Sequence, residues 1–134
     1  MGVSYRTRIV DAELTARLEA TGVVLIEGPR GCGKTETARR AALSEVRLDI
    51  DDEARSAALV APAVLLDGEK PRLIDEWQLV PAVWDHVRRD VDEHPEQAGR
   101  YILTGSAVAT DDQIRHSGGL RFTRLRMRPM SLSE

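Results

Sequence analysis

Five short apolar runs recur along the chain, separated by stretches in which apolar residues have helical spacing. The runs, each expected to form a strand, are Val23–Ile26, Val46–Ile50, Arg72–Asp75, Tyr101–Thr104 and Thr123–Met127. The helical stretches are Asp11–Ala20, Gly33–Leu43, Asp51–Val60, Pro81–Glu93 and a weaker one over Asp111–Arg115. Strands that alternate with helices pair in parallel through right-handed crossovers. The pattern therefore predicts an α/β fold with three layers, α/β/α, around a mainly parallel five-stranded sheet.

The polarity of the runs also predicts their places in the sheet. The first, third and fourth runs are almost wholly apolar, which is typical of central strands buried on both faces. The fifth run alternates, with Thr123, Leu125 and Met127 on one face and Arg124, Arg126 and Arg128 on the other. We expect an edge strand whose core side carries Leu125 and Met127. Its arginine stripe would be solvated or covered by a partner, either another copy of the chain or a C-terminal domain.

Composition limits the class of protein. The chain has 134 residues, a formal net charge of −3 and a single cysteine, Cys32. This length suits one domain, and the lone cysteine excludes an internal disulfide framework. The apolar stretches are too short to span a bilayer, so we expect a cytoplasmic protein without a membrane partner. A nucleic-acid partner would rest only on Arg121 and the arginine stripe, and we favour a solvated or partner-covered edge.

A glycine-rich segment between the first strand and the next helix carries the clearest chemical signal. Gly28-x-x-x-x-Gly33-Lys34-Thr35 fits the phosphate-loop pattern, in which backbone N–H groups and a helix N-terminus surround phosphate oxygens. Lys34 would reach the β- and γ-phosphates, and the Thr35 hydroxyl would bind Mg²⁺. The expected nucleotide-binding residues are Gly28, Pro29, Arg30, Gly31, Cys32, Gly33, Lys34, Thr35 and Glu36. The alternative is an ordinary glycine-rich turn, which the strand and helix on either side disfavour.

Cys32 lies inside this loop and has two interpretations. The simpler one is that the position accepts many residue types. The other is a reactive thiol, because a helix N-terminus and Lys34 would lower the pKa of the cysteine.

Polar residues also end the third and fourth apolar runs. Asp75 and Glu76 follow the third run, and in parallel sheets the ligand crevice lies at the carboxyl ends of the strands. Asp75 would help to hold Mg²⁺, and Glu76 would orient or deprotonate the attacking water. The alternative is a pair that caps the helix beginning at Trp77. After the fourth run, Thr104 or Ser106 would sense the γ-phosphate, unless the segment is only a turn at Gly105.

Five segments together resemble the AAA+ superfamily of P-loop ATPases. They are YRTRIVDAEL, LIEGPRGCGKTETA, RLIDEWQLVP, YILTGSA and GLRFTRLRMRPMSLSE. More narrowly, the chain resembles bacterial and archaeal AAA-like ATPases that usually carry a further C-terminal domain. The resemblance covers nearly all of residues 1–134, with a lead-in and helix over 1–20 and a nucleotide-binding core over 21–134.

The resemblance implies a P-loop NTPase with the phosphate-loop strand near the middle of the sheet and the last strand at its edge. It implies ATP and Mg²⁺ as cofactors, with Asp75 as the metal aspartate and Glu76 as the catalytic glutamate. Arg121 matches an arginine that acts on the γ-phosphate of a neighbouring subunit. The alternative for Arg121 is a solvated residue at the start of a strand, since Leu120 stands where relatives often have glycine.

The end of the chain gives a further expectation. Ser131-x-x-Glu134 is a capping-box pattern, which predicts that a helix begins here. We therefore expect a core truncated before its lid and C-terminal domain. The function expected from the resemblance is Mg-ATP binding and hydrolysis to ADP and phosphate, weak in this chain. The alternatives are a nucleotide-dependent switch or assembly module with little turnover and, less favoured, a small-molecule kinase. Arg8, Ile9 and Val10 are the candidates for adenine contacts.

Overall fold

A computed structural model describes residues 2–29, 33–106 and 122–127, the side chains of residues 2–8 excepted. The α-helices are α1 (Gly2–Ala20), α2 (Lys34–Ala41), α3 (Asp52–Val60) and α4 (Val83–Glu93), with short 3₁₀ helices at Pro62–Leu66 and Trp77–Leu79. The strands are β1 (Val23–Glu27), β2 (Ser44–Arg47), β3 (Arg72–Asp75), β4 (Tyr101–Gly105) and β5 (Phe122–Arg126).

The five strands form one sheet in the order β2-β3-β4-β1-β5, and every neighbouring pair is parallel. The predicted α/β fold with a five-stranded sheet is therefore confirmed. The strand that leads into the glycine-rich segment, β1, lies between β4 and β5, and β5 is an edge strand as expected. All five strands point the same way, so their carboxyl ends meet at one edge of the sheet.

Each face of the sheet has its own hydrophobic core. One face packs Val24, Ile26 and neighbouring strand residues against Leu14 and Leu18 of α1 and Ala38 of α2. The other packs residues from the strands, α3, both 3₁₀ helices and α4. Apolar residues of α4 and of the turn before it are buried, at Val80, Val83, Trp84, Val87 and Val91. Trp84 also stacks on Phe122 of β5, with 4.9 Å between ring centroids.

Several boundaries differ from the prediction. Helix α1 begins at Gly2 rather than Asp11, because a helix already formed extends through residues that show no apolar stripe. Strand β2 ends at Arg47 rather than Ile50, since Asp51 caps α3 through Ala54 N and turns the chain away. Ile50 is consequently exposed. Helix α4 begins at Val83, after a turn closed by Trp84 N donating to Pro81 O.

The edge strand β5 also differs from the expected arginine stripe, solvated or covered by a partner. Phe122 lies on the same face as Arg124 and is buried. Arg124 is itself only 22% exposed, with its Nε 2.7 Å from Glu27 Oε1. Arg126 is 66% exposed, and Arg128 lies outside the described residues. Leu125 and Met127 pack on the α1–α2 core as predicted. The described part of β5 therefore presents one exposed arginine rather than a stripe.

Among the residues that the structure describes, no helix combines the length and the apolar character needed to cross a lipid bilayer.

Candidate nucleotide site

The carboxyl ends of four strands meet beside the N-terminus of α2. In the sheet register, Arg47 pairs with Asp75, Asp75 with Thr104, and Glu27 with Gly105. Gly28 N continues the ladder by donating to Gly105 O at 3.3 Å. The polar residues that the sequence placed at strand ends are therefore neighbours across the sheet.

The glycine-rich segment enters α2 through a glycine that its backbone conformation requires. Gly33 has φ 87° and ψ 12°, in the left-handed region, and no atom of the residues that the structure describes lies within 4 Å of a Cβ built on it. Conformation rather than crowding thus favours glycine here. Thr37 N donates to Gly33 O at 3.0 Å and closes the first turn of the helix. Lys34, the first residue of α2, is 5% exposed and points toward the ends of the strands.

The structure says less about the other predicted nucleotide-binding residues. Gly28 and Pro29 lie at the end of β1, while Arg30, Gly31 and Cys32 lie outside the described residues. The Glu36 side chain is exposed, with its carboxylate 3.7 Å from Arg39 Nη1 on the helix surface.

The Asp75 side chain links the first turn of α2 to the sheet. Its Oδ1 accepts hydrogen bonds from the Thr35 hydroxyl at 2.9 Å and from the Thr104 hydroxyl. The side chain is 1% exposed, so these donors and a nearby cation, Arg47, support a carboxylate that water scarcely reaches. Two residues proposed to bind the metal, Thr35 and Asp75, are thus in direct contact although 40 positions apart.

Glu76 is held in a left-handed conformation, with φ 59° and ψ 54°, that few residues other than glycine adopt. Its carboxylate accepts from Ser106 Oγ at 2.7 Å and from Gln78 Nε2 at 3.0 Å, and it lies 3.4 Å from Lys34 Nζ. Burial opposes ionisation, but the Ser106 and Gln78 hydrogen bonds and the Lys34 charge outweigh it and hold the pKa of Glu76 below its ordinary value.

The contacts separate roles that the sequence left open. Glu76 precedes the 3₁₀ helix at Trp77, yet its side chain makes no capping hydrogen bond there. Thr104 contacts Asp75 and accepts from Glu76 N at 3.1 Å. Ser106 instead contacts Glu76 and accepts from Lys34 Nζ at 3.4 Å. Thr104 therefore contacts Asp75, whereas Ser106 contacts both Lys34 and Glu76.

Sequence reasoning missed three participants near the site. Gln78 orients Glu76, Arg47 lies 3.8 Å from Asp75 Oδ2, and the buried Glu27 pairs with Arg124 directly before the glycine-rich segment. Glu27 had a positional signal, because like Asp75 it is a charged residue at the end of an apolar run, whereas Arg47 lies inside the predicted run Val46–Ile50 and had none.

The donor set suits Mg²⁺. Within the described ranges, no group of three or more His, Cys, Asp or Glu side chains could hold a metal by itself. A single carboxylate and a hydroxyl in contact, beside a phosphate-loop sequence, match the way Mg²⁺ is usually held, by one or two carboxylates together with substrate phosphates and waters. Thr35 and Asp75 would hold the ion.

The remaining predicted residues either lie outside the described part of the chain or show no contact with the site residues there. Arg121 and the Asp111–Arg115 helix lie outside the described residues, as does the side chain of Arg8. Ile9 is 53% exposed on α1, and Val10 packs at the border of the α1–α2 core.

Comparison with known proteins identifies the family. A model of the AAA domain family matches residues 20–134. The chain belongs to the AAA domain family. Uncharacterised proteins of Mycobacterium tuberculosis and Mycobacterium bovis are each 33% identical to this AAA domain over 99 residues, or 72% of the chain. The match spans 22% of the length of either relative.

One solved structure, that of C. elegans PCH-2, also resembles this AAA domain. The similarity covers 94% of this chain and 42% of that protein at 13% identity, with a TM-score of 0.44. Family membership therefore rests on the sequence match, and the α/β fold on the strand order and pairing. Together they support a nucleotide-binding, ATPase-like domain.

Proposed function

We propose that this AAA domain binds Mg-ATP and hydrolyses it to ADP and phosphate. The observation that carries the proposal is the 2.9 Å hydrogen bond from Thr35 Oγ1 to Asp75 Oδ1. It places the hydroxyl that follows the phosphate-loop lysine on the carboxylate at the end of β3. A metal ion held between phosphates and protein needs those two oxygens together.

Each residue of the candidate site has a separate role in the proposed reaction. Lys34 carries the charge that faces the β- and γ-phosphates, while Thr35 and Asp75 hold Mg²⁺, which when bound neutralises charge developing on the phosphoryl group. Thr104 fixes the Asp75 carboxylate. Glu76 accepts a proton from the attacking water, and Ser106 orients Glu76.

Calorimetric titration with ATP and GTP, each with and without Mg²⁺, tests the binding step. Lys34→Ala should abolish most binding, because the charge facing the phosphates is lost. Asp75→Asn should weaken Mg-ATP more than metal-free ATP, whereas Asp85→Asn, which changes an exposed aspartate on α4, should change neither. Equal losses for both ligand forms in Asp75→Asn would remove Asp75 from the metal site, and unchanged binding in Lys34→Ala would overturn the phosphate-loop assignment.

A second function, a nucleotide-dependent switch with little turnover, is favoured by one observation. The Glu76 carboxylate is engaged by Lys34, Ser106 and Gln78, and a carboxylate whose pKa is lowered is a weak base. Phosphate release by the wild type and Glu76→Gln separates the two functions. Turnover of about 1 s⁻¹ or faster that Glu76→Gln abolishes indicates an enzyme, since that rate lies within the usual range. Binding without a difference in release indicates a switch.

A further inference from the structure

Asp75 has a cationic neighbour on the side away from the two threonines. Thr35 and Thr104 donate to Oδ1, and Arg47 Nε lies 3.8 Å from Oδ2. Arg47 is the last residue of β2 and the register partner of Asp75, so the sheet itself fixes their approach. This arrangement puts a positive charge beside the carboxylate that we assign to the metal.

The contact differs from the surface ion pairs of this protein. Arg47 Nε is buried and makes no hydrogen bond within the described ranges, although the side chain as a whole is 31% exposed. By contrast, Arg39 on the surface of α2 donates from Nε to Glu45 at 2.9 Å. If Arg47 only linked β2 to β3, we would expect a hydrogen bond to Asp75 as short as the one between Arg39 and Glu45. Arg47 instead stands where its charge acts on Asp75 without occupying the oxygen.

We propose that Arg47 is a positioning residue whose positive charge beside Asp75 makes the metal site selective for the metal–nucleotide complex over free metal. This inference rests on the proposed function, because it assumes that Asp75 faces the metal. A dication that approaches Asp75 alone is repelled by Arg47. Nucleotide phosphates bring negative charge that offsets the arginine, so the ion binds with its nucleotide rather than before it.

Binding of Mn²⁺ to the nucleotide-free chain, followed by the electron paramagnetic resonance signal of the free ion, tests this selectivity. Arg47→Met should bind Mn²⁺ about tenfold more tightly than wild type, because a unit charge close to a partly buried site is removed. Arg47→Gln is a second uncharged variant in case the first does not fold, and Arg47→Lys, which keeps the charge, should resemble wild type. Arg39→Met is the matched control and should also leave Mn²⁺ affinity unchanged.

Two further measurements show whether an increase in Mn²⁺ affinity arises at Asp75. Adding Asp75→Asn to Arg47→Met should abolish the gain in Mn²⁺ affinity, and Arg47→Met should not bind Mg-ATP more tightly than wild type does. The inference is overturned if folded Arg47→Met and Arg39→Met bind Mn²⁺ equally, or if Arg47→Met loses ATP with no change in Mn²⁺ affinity. Failure of the proposed function would appear separately, as absence of Mg-ATP binding by the wild type, because the Mn²⁺ comparison uses no nucleotide.

Discussion

At the scale of single residues, the candidate site holds Glu76 in a backbone conformation that is unfavourable by itself. Glu76 has a left-handed backbone, which costs on the order of 1 kcal/mol or more for a residue with a Cβ. The surrounding contacts compensate, because Thr104 accepts from Glu76 N while Ser106 and Gln78 hold the carboxylate. This conformation turns the chain sharply after β3, so that Asp75 and Glu76 face different partners.

The ionisation of Glu76 predicts how stability depends on pH. Its pKa is lowered in the folded chain, so the charged form contributes stability that is complete above the ordinary value of 4.5 and is lost as the pH falls through the folded pKa. Melting temperature measured between neutral pH and pH 3 should therefore fall less steeply for Glu76→Gln than for wild type. Parallel profiles would mean that the contacts to Glu76 do not favour its charged form.

Gly105 is constrained by crowding rather than by backbone conformation. A Cβ at this position would lie 2.9 Å from Trp77 Nε1 and 3.0 Å from Gln78 Oε1. Gly105→Ala should therefore lower the free energy of unfolding by about 1–3 kcal/mol, as overpacking does. Urea denaturation measures the loss, and in a double-mutant cycle Trp77→Phe should relieve part of it. Additive losses would show that the indole is not the obstacle.

At the scale of elements, β5 is tied to the strand that leads into the glycine-rich segment. Met127 N donates to Glu27 O at 2.7 Å, and Arg124 pairs with the Glu27 carboxylate, which is only 2% exposed. A displacement of β5 would therefore be transmitted to Glu27, the residue directly before Gly28. This is a different role from the solvated or partner-covered arginine stripe that alternation predicted.

Arginine substitutions on β5 should consequently differ. Arg124→Met should cost about 3 kcal/mol of unfolding free energy, because it removes a close partner from a buried carboxylate. Arg126→Met, the matched control, should cost less than about 1 kcal/mol, since its side chain is 66% exposed and 3.8 Å from Glu27. Chemical denaturation of both variants provides the measurement, and equal losses would show that the Arg124 pair is no stronger than a surface contact.

At the scale of the whole molecule, one sheet separates two cores and carries the candidate site at one edge. The site draws on β1, β3, β4 and the start of α2, and these elements belong to both faces. A ligand that bridges them should therefore stabilise the fold as a unit rather than one loop.

Nucleotide should raise the melting temperature by mass action. At an Mg-ATP concentration about 100 times its dissociation constant, the gain is about 2.7 kcal/mol, or roughly 8 °C for a domain of this size. Differential scanning fluorimetry measures the shift, and Lys34→Ala at the same concentration should show almost none. A shift of similar size in that variant would indicate that ATP stabilises the chain without using the proposed site.

The sequence by itself determined the fold class and the neighbourhood of the site. Apolar runs of strand length that alternate with helical stripes leave a parallel α/β sheet as the favoured arrangement, and the glycine-lysine-threonine spacing places phosphate chemistry after β1. Asp75 and Glu76 were recognisable because charged residues at the end of an apolar strand are costly without partners. These signals are local, so they can be seen without knowing which strands are neighbours.

Tertiary structure alone decided which side chains meet. The register that pairs Asp75 with both Thr104 and Arg47 brings one threonine to this aspartate and reveals a cation that no spacing rule indicates. The same is true of Arg124, which contacts Glu27, and of Ser106, which contacts both Lys34 and Glu76. The physical reason is that ion pairs and hydrogen bonds act over a few ångströms, and parallel strands bring together residues that lie tens of positions apart in the chain.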